Sequence, residues 1–252
     1  MSCVALRYPR DVDFSDDVDP IPHHREPLKS AADTHCRVSR RIAADVSHDG
    51  IREYTKRDQF KPLTMDLVWP GRQYLPEYIQ ALQRGWSPDH LRPQTTQDQL
   101  AHIARDPDGF VAAQVDRDAN GPPIVLPDNS TAPRLPGFKL WMWDGDFCGS
   151  IGFRWQPGTP ELPSYCLGHI GYGVVPWKRG RGYATRALQL LLPRARAEGL
   201  PYVELTTDAD NIASQRVIEA NGGVIVERFR KPAVYGGAES LRFRIVLSDA
   251  VT

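Results

Sequence analysis

The chain has 252 residues, 41% of them hydrophobic, and its 31 Lys and Arg balance 31 Asp and Glu, so the formal net charge at pH 7 is zero. This length and apolar content suffice for one sizeable core, and the expected organisation is one domain with an extension rather than two full domains. Charge neutrality argues against a nucleic-acid or membrane-surface partner, and neither a run of eighteen apolar residues nor a basic stretch leading into an apolar one predicts a membrane helix or a secretory leader.

Residues 1–62 mix an acidic patch (Asp11, Asp13, Asp16, Asp17, Asp19), histidines, prolines and a basic patch (Arg37, Arg40, Arg41), with few large apolar residues and no sustained period. They are predicted to be largely disordered, as an appendage or an over-long start, with a short helix over Ser39–Ser47. From residue 63 the pattern becomes that of a folded domain extending to 252. Leu-Thr-Met-Asp-Leu-Val-Trp-Pro predicts a first strand, and Arg72–Gly85 and Thr95–Arg105 predict amphipathic helices. The segment Asp106–Gly137, rich in Pro, Gly, Asp and Asn, predicts loop with a short strand over Phe110–Val115. Strands follow at Phe138–Trp143 and Phe147–Trp155, joined by the hairpin signal Asp144-Gly145-Asp146, and then at Gly168–Val175, Tyr202–Thr207, Val224–Arg230 and Arg242–Leu247. Together they predict an α/β fold with a mixed sheet. No repeat or coiled-coil heptad is present.

Cys3, Cys36, Cys148 and Cys166 are far apart, without a CxxC pair. The spacing argues against zinc and a dense disulfide framework and for a reducing, cytoplasmic setting. Cys166 has no His or Asp setting that would make it a nucleophile. Trp141 and Trp143 lie on one strand and read as packing.

The run from Gly171 to Asn221 reads as strand, glycine-punctuated turn, helix, strand, helix. Arg179-Gly180-Arg181-Gly182-Tyr183-Ala184 opens a helix whose Ala187, Leu188, Leu191, Leu192 and Ala195 recur at helical spacing. The first N–H groups of such a helix lack intrahelical partners and carry the positive end of its dipole. Gly180 and Gly182 let backbone approach an anion, and Arg179 and Arg181 add charge-assisted contacts. A pyrophosphate suits this turn. Asn211 is placed to cap the helix 212–221, with Ser214 in its first turn, and Gly222-Gly223 reads as its stop.

Arg-x-x-Gly-x-Ala after Val-Val-Pro, followed about thirty residues on by Asn211 and Ser214, resembles the GNAT superfamily of N-acetyltransferases. Arg179, Gly182 and Ala184 match its acetyl-CoA signature. Gly168-His169-Ile170-Gly171-Tyr172 and Gly182-Tyr183-Ala184-Thr185 are similar to the branch that includes ribosomal-protein N-terminal acetyltransferases. The resemblance is dense from Lys139 to Leu247 and thinner from Met65 to Phe138.

The resemblance implies a mostly antiparallel sheet flanked by helices, in which the strand of Val174-Val175 splays, usually with a bulge, from its parallel neighbour at Tyr202–Thr207. It implies acetyl-CoA as cosubstrate, without a metal, held by Val174, Val175, Arg179, Gly180, Arg181, Gly182, Tyr183, Ala184, Thr185, Asn211 and Ser214. The N–H at or next to Val174 would face the thioester carbonyl. His169 stands where the branch has a glutamate and is the candidate base, with a structural strand histidine as the plain alternative. The family's tyrosine seven residues after Asn211 is replaced by Ile218. Ser214, water, Tyr172 or Tyr183 is left to protonate the thiolate, which is already a fair leaving group. The acceptor would be a small-molecule or peptide amine, and a homodimer is an expectation carried by the family. Glu161 and Asp146, in loops near the acceptor side, offer attraction for a cationic amine, and Arg154 for an acidic substrate group. Each of these also reads as an ordinary surface charge. A different nucleotide enzyme is disfavoured by the lack of GxGxxG and GxxxxGK[ST], whereas a non-catalytic acyl-CoA-binding module needs the same turn and stays open.

Overall fold

The computed structural model describes residues 64–247 apart from 90 and 93. The expectations for residues 1–62, among them the Ser39–Ser47 helix, lie outside the described residues, as do Cys3 and Cys36.

In chain order the elements are β1 (Asp66–Val68), α1 (Leu75–Gln83), α2 (Thr95–Arg105), α3 (Pro107–Ala112), β2 (Val115–Asp116), β3 (Ile124–Val125), β4 (Thr131–Ala132), β5 (Gly137–Trp143), β6 (Phe147–Arg154), β7 (Ile170–Val174), α4 (Tyr183–Ala197), β8 (Tyr202–Asp208), α5 (Ile212–Glu219), β9 (Val224–Arg230) and β10 (Glu239–Val246). One sheet has the order β1-β5-β6-β7, with β2 also on β5. A second has the order β8-β10-β9, and β3 and β4 form a small hairpin. All these ladders are antiparallel.

Alternation along the central strands sends side chains to two helical layers. Leu140, Met142, Ile151, Phe153, Ile170 and Tyr172 share a core with α4, whose Ala187, Leu188, Leu191 and Ala195 are fully buried. Trp141, Phe147 and Val175 face the other way and pack with Tyr78, Leu82, Trp86, Ile103 and Phe110 from the α1–α3 side. Tyr78 stacks on Trp141 with centroids 4.4 Å apart, and Trp143 meets Tyr74 at 4.6 Å, so both tryptophans serve as packing. Burying a leucine of the α4 stripe contributes about 1.5–3 kcal/mol, and Leu188→Ala would cost about 2–5 kcal/mol because a cavity remains.

The predicted strand over Phe110–Val115 is not formed. Asp106 accepts the Gly109 N–H at 2.8 Å and Pro107 fills the first turn, so a cap and an N-terminal proline start α3 instead, and only Val115–Asp116 joins the sheet. Asp106–Gly137 is thus mostly loop, as expected, carrying one short helix and three two-residue strands.

The two larger sheets meet at one corner. The His169 N–H donates to the Glu204 carbonyl at 2.7 Å, and the Thr206 hydroxyl donates to the Leu167 carbonyl at 2.5 Å. Beyond that corner β7 and β8, joined through α4, form no ladder. The bulge expected in β7 is absent, since its register with β6 runs unbroken from Phe153↔Ile170 to Gly149↔Val174. The opening comes from divergence of the sheets. Across it, the Tyr172 hydroxyl donates to the Ser214 carbonyl of α5 at 3.4 Å.

Candidate functional site

The opening between β7 and β8 holds a cleft of about 860 Å³, open to solvent. Its lining comes from the end of β7, the glycine turn, the first turn of α4 and one side of α5. The Arg154 N–H bonds to the His169 carbonyl and the Val175 N–H to the Cys148 carbonyl. Antiparallel alternation therefore commits the His169 carbonyl, the polar groups of residues 171 and 173 and the Val175 N–H to β6, and turns the N–H groups of Tyr172 and Val174 toward the gap. These backbone groups suit an extended amide-bearing chain laid along β7.

The turn provides the anion end. Gly180 (φ 71°) and Gly182 (φ 83°) are in the left-handed region, where a side chain would be strained. Gly182 is the N-cap of α4 with no side-chain cap, so the first N–H groups of a fifteen-residue helix lack a capping side chain. Arg179 is exposed and its Nε donates to the Val174 carbonyl at 3.2 Å, which ties the turn to β7.

Beneath the turn lies a polar cluster without a signal in the sequence. Lys178 Nζ contacts Asp144 at 2.7 Å, Asp146 at 3.5 Å and Cys148 Sγ at 3.4 Å, and the Tyr183 hydroxyl donates to Asp144. Burial would raise the Asp144 pKa, but hydrogen bonds from Lys178 and Tyr183 hold it below the usual carboxylate range. Burial, aided by the Asp144 carboxylate, pushes the Tyr183 phenol up to about 12. Burial likewise pushes the Cys148 thiol up to about 12. The cluster pins the β5–β6 turn to the start of α4. Lys178 is thereby occupied, and Arg179 is the other cation among the residues lining the cleft.

On the far wall, Asn211 is the N-cap of α5, and its side-chain oxygen accepts the Ser214 N–H at 3.2 Å. Asn211, Ser214 and Val217 line the cleft at successive turns. Ile218 points away and is fully buried in the core.

Of the expected cofactor residues, Val174, Arg179, Gly180, Gly182, Tyr183, Ala184, Thr185, Asn211 and Ser214 all line this cleft. Val175 does not. Its N–H is bonded into β6 and its side chain is packed on the α1–α3 side. Arg181 is exposed outside the lining. Tyr172, Gly173, Lys178, Ala213 and Val217 line the cleft without having been expected to hold the cofactor. The i, i+3, i+6 spacing of Asn211, Ser214 and Val217 is the signal that would have found the last.

His169 is not brought to the cleft. It is fully buried at the corner of the two sheets, with Nδ1 accepting the Glu204 N–H at 3.0 Å. Nε2 makes no hydrogen bond of good geometry, the Pro160 backbone being its polar neighbour. Burial lowers its pKa to about 4, with the Arg154 charge adding to the effect and the Glu204 carboxylate opposing it. The neutral ring thus carries its proton on Nε2, and the lone pair of Nδ1 is already engaged.

A model of the acetyltransferase (GNAT) domain matches residues 76–224, more than half of the chain. This chain belongs to the GNAT acetyltransferase family. The matched span of this GNAT domain runs from α1 to the start of β9 and contains every residue lining the cleft. No curated protein matches the chain. Among solved structures, the chain is similar to the ribosomal L7/L12 alpha-N-protein acetyltransferase RimL in complex with coenzyme A, with 15% identity, 73% of this chain and 95% of that one covered and a TM-score of 0.48. The microcin C7 self-immunity acetyltransferase MccE in complex with acetyl-CoA and AMP gives 13% identity, 72% and 92% coverage and a TM-score of 0.47. YncA, a putative acetyltransferase from Salmonella typhimurium with its cofactor acetyl-CoA, gives 16%, 75% and 96%, and 0.44. Among the described residues of this GNAT domain no helix is long and apolar enough to cross a membrane.

Proposed function

We propose that this protein binds acetyl-CoA in the cleft between β7 and β8 and transfers the acetyl group to a primary amine by direct attack, in a cytoplasmic setting, with residues 63–252 as the transferase domain. One observation carries the reading. The outward backbone of Val174 and the uncapped, glycine-flanked start of α4 line the same cleft, which offers amide pairing at one end and an anion site at the other.

The residues fit the cosubstrate. Gly180, Gly182 and the first turn of α4 would hold the pyrophosphate with Arg179, and Tyr172 and Val174 would pair with the pantetheine amides. Bound acetyl-CoA supplies an activated acyl group as a thioester. The Val174 N–H is placed to donate to its carbonyl oxygen, and a donor of this kind is worth on the order of a hundredfold in rate.

None of the residues lining the cleft is a histidine or a carboxylate. The environment of His169 supports a positioning role at the sheet corner rather than that of a base. Entry of an ammonium into a partly apolar cleft lowers its pKa, so the amine releases its proton to solvent water before attack. As the C–N bond forms and the C–S bond breaks, the thiolate takes a proton from the Tyr172 hydroxyl, which recovers one through water from the nitrogen of the tetrahedral intermediate; burial chiefly raises the pKa of this phenol, so that it holds its proton at neutral pH. Tyr183 is less suited because its proton is held by the Asp144 carboxylate, whereas the Tyr172 hydroxyl makes only a long 3.4 Å bond to the neutral Ser214 carbonyl.

Calorimetric titration of acetyl-CoA into the full chain, with Gly182→Asp alongside, tests the site. Micromolar binding that the variant loses is expected. Unchanged affinity in Gly182→Asp would remove the anion-site argument. A second reading, acyl-CoA binding without turnover, is favoured by Ile218, which sits in the core where family members carry a tyrosine. Acetyl-CoA binding without acetylation of any amine in a broad screen would support it.

A further inference from the structure

A second pocket, open to solvent, lies on the sheet between Gln114, the β3–β4 hairpin and Tyr165. Three cations line it, Arg134, Lys139 and Arg154, against one carboxylate, Asp116. Asp116 is spoken for. It lies 3.5 Å from Arg134 and accepts the N–H groups of Asn120 and Gly121. Lys139 is half-buried, and its ammonium has no hydrogen bond or ion pair among the described residues. A desolvated, unpaired ammonium is costly unless an anion joins it. Burial, with the Arg154 charge adding to it, depresses the Lys139 pKa to about 8, which still leaves it charged at neutral pH.

The cavity lies beside the thioester position. Lys139 is opposite Gly152, and Gly152 is opposite Gly171. Residues paired in this way project to one sheet face. The Lys139 Cγ lies 3.4 Å from where a Cβ on Gly152 would be, so the lysine lies over that glycine. Gly152 lines the cationic cavity and Gly173 lines the cofactor cleft. Between them on the same face is Gly171, which has no side chain to fill the space. From strand spacings, the path from Gly152 to Gly173 is on the order of 8 Å.

We propose that this cavity is the acceptor subsite and that the acceptor is a primary amine carrying a carboxylate or phosphate group. Lys139 and Arg154 hold the anion while the amine lies over Gly171 and Gly173 beside Val174. The inference rests on the acetyltransferase reading above and adds the acceptor class. The carboxylates that offered attraction for a cationic amine do not line this pocket. Asp146 lies 3.5 Å from Lys178, and Glu161 lines a different cavity with Glu204, Arg242 and Arg244.

The test uses the full chain saturated with acetyl-CoA and matched amine pairs, Gly-Asp against Gly-Asn with both as C-terminal amides and O-phosphoethanolamine against ethanolamine, with spermidine as the cationic probe. At least one anionic member is expected to exceed its neutral partner in kcat/KM by about tenfold or more, a difference of about 1.4 kcal/mol. Which pair responds distinguishes carboxylate from phosphate. Lys139→Met should erase the preference, and Lys139→Arg should retain most of it. A preference that survives Lys139→Met, or spermidine used as well as the anionic probes, overturns the proposal. Where no probe is acetylated, calorimetry with inorganic phosphate decides. Binding that Lys139→Met abolishes supports the subsite, and no binding overturns it. Failure to bind acetyl-CoA itself, read in a separate titration, overturns the underlying transferase reading instead.

Discussion

The Nδ1 atom of His169 accepts the backbone N–H of Glu204 at 3.0 Å, so a side chain stands in for a ladder partner where the two sheets part. The His169 N–H also donates to the Glu204 carbonyl, and this double contact closes one end of the cleft before β7 and β8 diverge.

This contact predicts acid sensitivity. The folded-state pKa of His169, about 4, lies below the ordinary value of 6.5. The unfolded chain therefore binds a proton first as pH falls. Stability is fully present above pH 6.5 and declines between 6.5 and 4, by about 3 kcal/mol for a shift of this size. Thermal unfolding across that window should show the decline, with a flatter profile in His169→Asn. Equal slopes in the two proteins would deny His169 this role.

Tyr172→Phe keeps the packing of the ring and removes the proton proposed for the leaving thiolate. Turnover should fall by about a hundredfold or more with acetyl-CoA affinity little changed. A kcat within twofold of wild type would assign the proton to solvent or Ser214.

Asp144→Ala removes the acceptor shared by Lys178 and Tyr183. Lys178 would then be a largely buried ammonium whose remaining contacts are the Cys148 thiol and the more exposed Asp146 carboxylate. The pair is partly exposed, so the expected loss is about 1–3 kcal/mol rather than that of a fully buried pair. Acetyl-CoA should also bind more weakly, because the start of α4 is no longer pinned. Denaturant unfolding and calorimetry check the two effects separately.

Gly149→Ala should be worse than an ordinary surface glycine replacement. A Cβ there would lie 2.1 Å from the Gly173 carbonyl oxygen and 2.9 Å from the Val174 Cα, at φ 145°. The strands would have to separate at the base of the cleft, at a cost of about 1–3 kcal/mol. Melting temperature and acetyl-CoA affinity should fall together.

The acceptor subsite predicts a pH effect on KM. Lys139 titrates near pH 8 in a setting of Arg154, Arg134 and Arg92, with Asp89 the opposing charge and Asp116 beside Arg134. Raising the pH through 8 removes its charge, so KM for an anionic amine should rise there. In Lys139→Arg that rise should be absent. A neutral amine should show no such rise in either protein.

The central hairpin, α4 and α5 were legible because local chemistry fixes each of them. Apolar alternation marks β5 and β6, a 3.6-residue apolar stripe marks α4, and Asn211 caps α5. The glycine turn was legible for a similar reason, since Gly180 and Gly182 take up positive φ and leave N–H groups open to an anion. Within Asp106–Gly137 the loop character was legible, but the element over Phe110–Val115 was not. Its residues suggested a strand, whereas Asp106 and Pro107 form a helix start that depends on burying Phe110.

By itself the sequence determined the α/β class, the membership signature and most of the cleft lining, because strand alternation, helix period and cap residues act over a few neighbours. Only the tertiary structure decided what His169, Val175 and Lys139 do. His169 loses its free lone pair to Glu204, Val175 gives its N–H to Cys148, and Lys139 lies over Gly152. Each outcome depends on which strand lies opposite and on how far water is excluded, and those are properties of distant segments brought together.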